Sequence, residues 1–469
     1  MSQIEISAEN IAQDQQLEQE LYARREKIYP REVHGLFAGL RVTAVVALLG
    51  LFYGLPWLQW DGHPAILLDL PARKFHIFSL ALWPQDFVYL AFLLIIAALS
   101  LFFFTALAGR IWCGYACPQT VWTEVFLWME RMVEGGRIQQ MRLDESPWNA
   151  RKFRIKAGKH LLWLVFSLFT GFSFVAYFTP AGVLLNEIRG MTLGPWETFW
   201  ILFYGFATYG NAGWMREQVC MYMCPYARFQ SAMFDDDTLI VSYDQQRGEP
   251  RGPRRPDTDH RRQGLGDCIN CGLCVRVCPT GIDIRDGLQY QCISCSACID
   301  ACNDVMARIN YPKGLIRYTT QNSLRGKDSK FIRPRIIIYA VILLTIITIF
   351  IYSMTQRLPL GLDVIRDRNQ LYRETNSLIE NVYTLKIINM DKQAHEYQLQ
   401  VSGIDTLQFA TEPGPISVMA GQVLDLPVRV MADESSYSTR SNSIRFTLTA
   451  TDDDRLSVTE QGRFLGPLP

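Results

Sequence analysis

The sequence has no net charge. Its 46 lysines and arginines balance 46 acidic residues, which excludes the strongly basic class of nucleic-acid binders. No G-x-G-x-x-G follows a strand-like run and no P-loop occurs, so the chain carries no nucleotide fingerprint of its own. C-x-x-C-H is also missing, which removes covalently attached haem. No cysteine lies beyond Cys302, so the last third must hold its core without a disulfide. What remains is twelve cysteines, four in two matched motifs and eight in one tight cluster, with none left over.

Apolar residues are gathered in five blocks that approach the ~20 residues needed to cross a hydrocarbon core. They run Leu36–Leu55, Phe87–Ala108, Leu161–Thr179, Trp196–Tyr209 with its flanks, and Ile336–Tyr352. The fourth is the weakest, interrupted by glycines and Glu197. Residues 1–35 are too long and polar for the leading region of a cleaved signal peptide, so the first block reads as an uncleaved anchor. Arg24, Arg25, Lys27, Arg31 and Arg41 flank it, and the connection from Arg110 to Lys159 is rich in basic residues. Only Arg189 lies between blocks three and four, and Arg73 and Lys74 are a basic minority after the first block. The positive-inside rule then predicts a cytoplasmic N-terminus, cytoplasmic 110–159 and 215–335 regions, and an exported C-terminus. The expected domains are a cytoplasmic segment 1–35, a four-span membrane domain 36–235, a cytoplasmic linker and ferredoxin 236–334, a fifth span 335–355 and an exported domain 356–469.

Two of the blocks end in CxxxCP: CGYACP at 113–118 and CMYMCP at 220–225. Both copies keep a central tyrosine, Tyr115 or Tyr222, and a proline, Pro118 or Pro225. Four-residue spacing predicts that each cysteine pair shares one helix face, its sulfurs about 5–6 Å apart. The proline, with no N–H to donate, is expected to loosen the helix end. Packed together, Cys113, Cys117, Cys220 and Cys224 would make a four-thiol pocket. A buried cysteine is more often a small hydrophobe, but the matched repeat argues for a shared role. A disulfide is disfavoured on a reducing cytoplasmic side.

CINCGLCVRVCP from Cys268 and CISCSACIDACN from Cys292 each read C-x2-C-x2-C-x3-C, the bacterial two-cluster ferredoxin pattern. In that pattern the fourth cysteine of each run serves the other cluster, which assigns Cys268, Cys271, Cys274 and Cys302 to one [4Fe-4S] cluster and Cys292, Cys295, Cys298 and Cys278 to the second. Pro279 follows the first run, whereas Asn303 takes the proline's place after the second. Zinc sites would show two CxxC pairs at finger or ribbon spacing instead.

Arg247–Gly264 holds six arginines with prolines and glycines, and reads as a linker drawn to anionic lipid or to Asp235, Asp236 and Asp237. Beyond residue 356 the runs YTLKIINM, EYQLQVSG, VLDLPVRVMA and IRFTLTATD alternate as half-exposed strands, predicting an all-β immunoglobulin-like sandwich. Met390, Met419, Met431 and His395 read as core rather than metal ligands. His76, Glu124 and Trp122, near span ends, read as structural. Low-potential clusters beside soft thiolates suit reduction of Cu(II) and binding of Cu(I).

LPARKFHIF, GRIWCGYACPQTVWTEVFLWME, CMYMCPYARFQ, the doubled ferredoxin run and the C-terminal sandwich together resemble the FixG/CcoG/RdxA family, across nearly the whole chain. The resemblance implies an accessory protein for assembly of cbb3-type cytochrome c oxidase in the bacterial inner membrane. It implies a cupric reductase with two [4Fe-4S] clusters on the eight ferredoxin cysteines, and copper at Cys113, Cys117, Cys220 and Cys224. Copper transporters or chaperones and oxidase assembly factors are the implied partners; the electron donor is unassigned and a homodimer is compatible. Two other readings stay open: an electron-transfer subunit serving quinone or another membrane complex, and a redox-sensing assembly scaffold. The four membrane thiols are also compatible with a third iron-sulfur cluster.

Overall fold

The computed structural model describes residues 27–253, 264–368, 370–375, 378–437, 439–453 and 455–467. It divides into two compact units, one of residues 1–80 and 93–343 and the other of 81–92 and 344–469. Among the described residues four helices are long and apolar enough to cross a membrane: Leu36–Trp57, Pro84–Ala108, Ala150–Val175 and Pro334–Thr355. The fourth apolar block behaves differently. It forms a 14-residue α-helix, Pro195–Thr208, and then continues as a π-helix, Tyr209–Met215, so its α-helical part falls short of a span. Glycines explain how that short helix is held. A Cβ on Gly171 would stand 2.2 Å from the carbonyl oxygen of Ile201, so the Ala150–Val175 helix meets it backbone to backbone, the small-residue contact that replaces hydrophobic drive between membrane helices.

The first unit also contains the ferredoxin segment. Two short strands, Ile240–Tyr243 and Ile316–Thr319, pair antiparallel on either side of the cysteine runs in the chain. Between them lie helices Leu273–Arg276 and Ala297–Arg308, each entered from a residue in the left-handed region, Gly272 or Ser296. The expected linker is partly built into this domain. Arg247 donates to Asp267 at 2.6 Å and to the carbonyl of Lys313 at 3.0 Å, which fixes the start of the segment; residues 254–263 lie outside the described residues. Asp235, Asp236 and Asp237 are engaged from 322–333: Arg333 pairs with Asp235 at 2.7 Å, Arg325 with Asp236 at 3.1 Å, and Asn322 donates to Asp237 at 2.8 Å.

In the second unit two antiparallel sheets face one another. One orders Gln408–Phe409, Val423–Asp433, Leu378–Asn389 and Leu360–Arg366, with Arg373–Thr375 also on Leu378–Asn389; the other orders Ile416–Val418, His395–Ser402, Ser441–Ala450 and Ser457–Leu465. Alternating residues such as Tyr383, Leu385 and Ile387 meet Tyr397, Phe446 and Phe464 in one buried core, as two-layer sandwiches require. Tyr383 and Phe446 contact edge-on at 5.1 Å, and the Tyr383 hydroxyl donates to the Arg463 carbonyl. Met419 is 70% exposed and therefore not core. His395 is buried with Nδ1 2.7 Å from Asp452 and Nε2 3.0 Å from Asp391.

Burial opposes protonation of His395, but the two carboxylates outweigh it and raise its pKa. A raised folded-state pKa contributes stability that is fully present below the unfolded value of about 6.5 and is lost as pH rises through the folded value. Urea unfolding of this domain, followed by tryptophan-independent circular dichroism, is expected to show a midpoint that falls across that window in wild type and stays flatter in His395→Gln.

Candidate functional site: a thiol array seated on the ferredoxin

The ferredoxin cysteines surround two separate cavities. Cys268, Cys271, Cys274 and Cys302 line one, together with Arg285 and Met306. Cys278, Cys292, Cys295 and Cys298 line the other, where Cys274 also contributes to the wall. Each cavity therefore takes three thiols from one run and the last cysteine of the other. The loops that curl around them match residue for residue: Asn270 and Gly272 in the first run, Ser294 and Ser296 in the second, all hold φ between 54° and 63°. Ser294 and Ser296 accept a left-handed backbone that costs a non-glycine residue about 1–2 kcal/mol. The Tyr318 hydroxyl returns part of that cost, donating to the Ser294 carbonyl at 2.9 Å and accepting from Ser296 at 2.6 Å.

Burial pushes the Cys274 thiol up to about 11 and the Cys292 and Cys302 thiols up to about 12. Thiols so disposed are poor free thiolates, and a positively charged inorganic core that takes their protons' place relieves that penalty. Among the described residues no group of three His, Cys, Asp or Glu could hold a single metal ion. A four-iron cube differs, since it takes one thiolate at each corner and keeps its ligands a cube's width apart. The donor sets fit two [4Fe-4S] clusters; bound there, the clusters supply one-electron carriers.

The CxxxCP motifs depart from the helical expectation. Cys113 lies in a five-residue helix, Ile111–Tyr115, but Cys117 is extended (φ −61°, ψ 128°) and precedes a new helix, Pro118–Glu134. Likewise Cys220 lies in a π-helical turn, Val219–Met223, and Cys224 is extended before Pro225–Met233. The proline is the reason. It pushes the residue before it out of the helical region and is itself pre-shaped for the first position of the next helix. Each motif is thus a joint between two helices, and each proline starts a helix rather than loosening one. All four thiols are half-buried. Cys113 has Cys117 and Cys220 as electrostatic neighbours, Cys117 has Cys224, and Cys220 has Cys117 and Cys224. The four form one array, wider than an ion.

This array sits directly on the ferredoxin. A Cβ on Gly114 would lie 2.8 Å from the carbonyl oxygens of both Ile293 and Ser294, inside the second cysteine run. Cys113 packs against a buried cluster that includes Ile293 and Cys295, and Cys220 lines a cavity with Cys295. Cys113 also donates to Gln230 at 3.3 Å. Charged residues lock the seat. Buried Arg110 donates to the carbonyls of Cys292 at 3.2 Å and Ala227 at 2.5 Å, and to that of Tyr290. Arg41 donates to the Cys295 carbonyl at 3.2 Å, and Asp300 accepts from the backbone of Ala38 at 2.7 Å and Phe37 at 3.3 Å. That carboxylate caps the first span's N-terminus, where it meets the positive end of the helix dipole.

Sequence reasoning missed Arg110, Arg41, Asp300 and Gly114. Two signals were there to read: an arginine placed where an apolar run stops, and a glycine between two cysteines. The other singled-out residues have structural duties. Trp122 donates to the Tyr53 hydroxyl at 3.1 Å, Glu124 accepts from Trp128 at 3.0 Å, and His76 packs against His63 with ring centres 4.4 Å apart and planes tilted by 40°. Met390 accepts from Arg357, and His395 is taken by two carboxylates.

Replacing Cys302 by serine is expected to lower iron from about eight to about four atoms per protein, leaving one cluster's reduced-state spectrum intact. Iron and sulfide assays with electron paramagnetic resonance check this; loss of both clusters, or of neither, would contradict the two-cavity division.

Comparison with known proteins agrees with this anatomy. Residues 215–321 match the model of a 4Fe-4S dicluster domain, residues 90–134 that of a 4Fe-4S binding domain, and residues 350–467 the IG-like fold at the C-terminus of FixG. The chain is 41% identical over 429 residues to Protein RdxA of Cereibacter sphaeroides, covering 88% of each. It is 36% identical over 422 residues to nitrogen fixation protein FixG of Rhizobium meliloti, covering 82% of this chain and 80% of that one. A crystal structure of a FixG-related protein from Vibrio parahaemolyticus is 37% identical, covering 24% of this chain and 98% of its own, with a TM-score of 0.22. With ferredoxin and immunoglobulin-like domains in place and such identity over most of its length, the chain belongs to the FixG/RdxA family of iron-sulfur proteins.

Proposed function

We propose that the protein is a membrane-bound cupric reductase that converts Cu(II) to Cu(I) and assists copper delivery during assembly of cbb3-type cytochrome c oxidase. One observation carries the reading: Cys220 and the ferredoxin ligand Cys295 line the same cavity, with Gly114 pressed on the loop between Cys292 and Cys295. Electron-carrying ligands and free thiols are thereby neighbours. Thiolates prefer Cu(I) among available ions, so the array would retain the reduced product. Each Cu(II) takes one electron, and no bond of the protein need break. Arg110, fixed on three carbonyls, keeps the array and the ferredoxin loop in register. In this reading the ferredoxin faces the cytoplasm, the immunoglobulin-like domain is exported, and copper passes to a transporter or chaperone serving the oxidase.

A second reading has its own support. The array is wider than an ion, and the 4Fe-4S binding model falls on residues 90–134, which contain Cys113 and Cys117. A third cluster there would bring iron to about twelve atoms rather than about eight.

The test is anaerobic. Protein with reduced clusters is mixed with Cu(II), cluster oxidation is followed optically, and retained Cu(I) is measured beside a variant with Cys113, Cys117, Cys220 and Cys224 all changed to alanine. Copper-dependent oxidation with Cu(I) retained only by wild type is expected. Equal behaviour of the two proteins, or about four irons lost from the variant, would overturn copper binding by these thiols.

A further inference from the structure

Residues 209–223 are wound unlike the rest of the membrane unit. Tyr209–Met215 and Val219–Met223 are both π-helical, a geometry rare in proteins and concentrated at functional sites. Between them Arg216 is held at φ 44°, a left-handed value that persists only where the surroundings enforce it. The second stretch carries Cys220. The first contributes a wall of a separate cavity of about 710 Å³, within the range of small-molecule sites and with no cysteine in its lining.

That cavity combines aromatic and charged side chains. Trp148, Phe153, Trp163 and Trp214 line it, and His160 stacks on Trp214 with the rings 29° apart. The His160 Nδ1 is 2.8 Å from the Tyr209 hydroxyl. Its cations are already engaged: Lys27 pairs with Glu130 at 3.3 Å and Asp144 at 2.9 Å, Lys156 and Lys159 with Glu134 at 2.9 and 2.8 Å, and Arg216 with Glu130 at 2.6 Å, while Lys152 donates to the carbonyls of Asp144 at 2.9 Å and Ser146 at 2.6 Å. A neutral flat ring suits such a lining better than an anionic headgroup does. Trp148 lies just before the Ala150–Val175 helix, and His160 just before the apolar stretch that begins at Leu161, the kind of span end where aromatic residues gather. Arg216 also lines the smaller cavity that holds Cys220 and Cys295, so one residue forms a wall of both.

We infer that this cavity seats the ring of a membrane quinone, the carrier from which the protein draws its electrons. The inference rests on the copper-reductase reading for its direction. A quinol leaving as quinone breaks two O–H bonds, turns two C–O bonds into carbonyls, and gives up two electrons and two protons. With Nδ1 engaged by Tyr209, His160 Nε2 takes the first proton; the second leaves to water. The two cysteine sets would each hold a cluster able to take one of the two electrons, enough together to reduce two Cu(II) to two Cu(I).

The experiment uses the full chain in phosphatidylcholine nanodiscs, photolabelled with an azidoquinone. Label is expected within 148–163 or 209–216, competed by decylubiquinone, and cut about tenfold in Trp214→Ala and Phe153→Ala, whose side chains are 59% and 64% exposed, so that little core is lost. Run in reverse, decylubiquinone is expected to oxidise the reduced clusters, more slowly in His160→Gln, while Cu(II) oxidises that variant at the wild-type rate. Label elsewhere, or label indifferent to Trp214→Ala, would overturn the proposal. So would phosphatidylglycerol displacing the label with a tightly held phospholipid lost from Trp214→Ala, which would make the cavity a lipid seat. If quinone oxidises the clusters and Cu(II) does not, the copper reading falls and the quinone seat stands.

Discussion

Everything the site does depends on one contact without a side chain: Gly114 against the carbonyls of Ile293 and Ser294. Backbone meets backbone there because neither partner interposes a Cβ. A loop that carries cluster ligands and a turn that carries membrane thiols are brought as close as two chains can pack. The cost of such closeness is that several polar backbone groups lose water, and each must find a partner inside the protein. Arg110 and Arg41 supply donors for the carbonyls of Tyr290, Cys292 and Cys295, while Asp300 accepts from the first span's opening N–H groups. Charge-assisted bonds of this kind are shorter and stronger than neutral ones, which suits a seat that must hold across a hydrophobic boundary.

The same logic explains why the motifs contain proline. A single helix through CxxxC would have set both sulfurs on one face and left the chain running straight on. Breaking the chain before Pro118 and Pro225 lets each motif turn a corner, so that thiols from two joints meet in one array. The π-helical turns of 209–223 serve the second joint. They insert extra residues per turn and so displace Arg216 and Cys220 from where α-helical spacing would put them.

Much of this was legible beforehand. The doubled C-x2-C-x2-C-x3-C run points to two groups of four thiols because short spacing gathers three at one point, and the structure lines two cavities with these groups. Alternation of apolar residues identified the sandwich, since a two-residue period has only one core-facing solution. Helical spacing at the CxxxCP motifs misled, because a local period says nothing of the break a following proline enforces. Gly114, Arg110 and Asp300 escaped for a deeper reason. Their partners lie up to 263 residues away in the chain, and no local pattern encodes a contact of that range. At the start of the expected linker, Arg247 has charge and turn-rich neighbours in sequence, but its partners come from the folded ferredoxin.

The most direct measurement is of electron transfer across the Gly114 seat. Gly114→Ala and Gly114→Val add atoms where the first Cβ already stands 2.8 Å from two carbonyl oxygens, so the loop and the turn must separate. With about eight irons retained, Cu(II)-driven oxidation of the clusters should slow in alanine and further in valine, while the four thiols stay titratable. Oxidation at the wild-type rate in both variants would contradict the claim that this contact couples the ferredoxin to the thiol array.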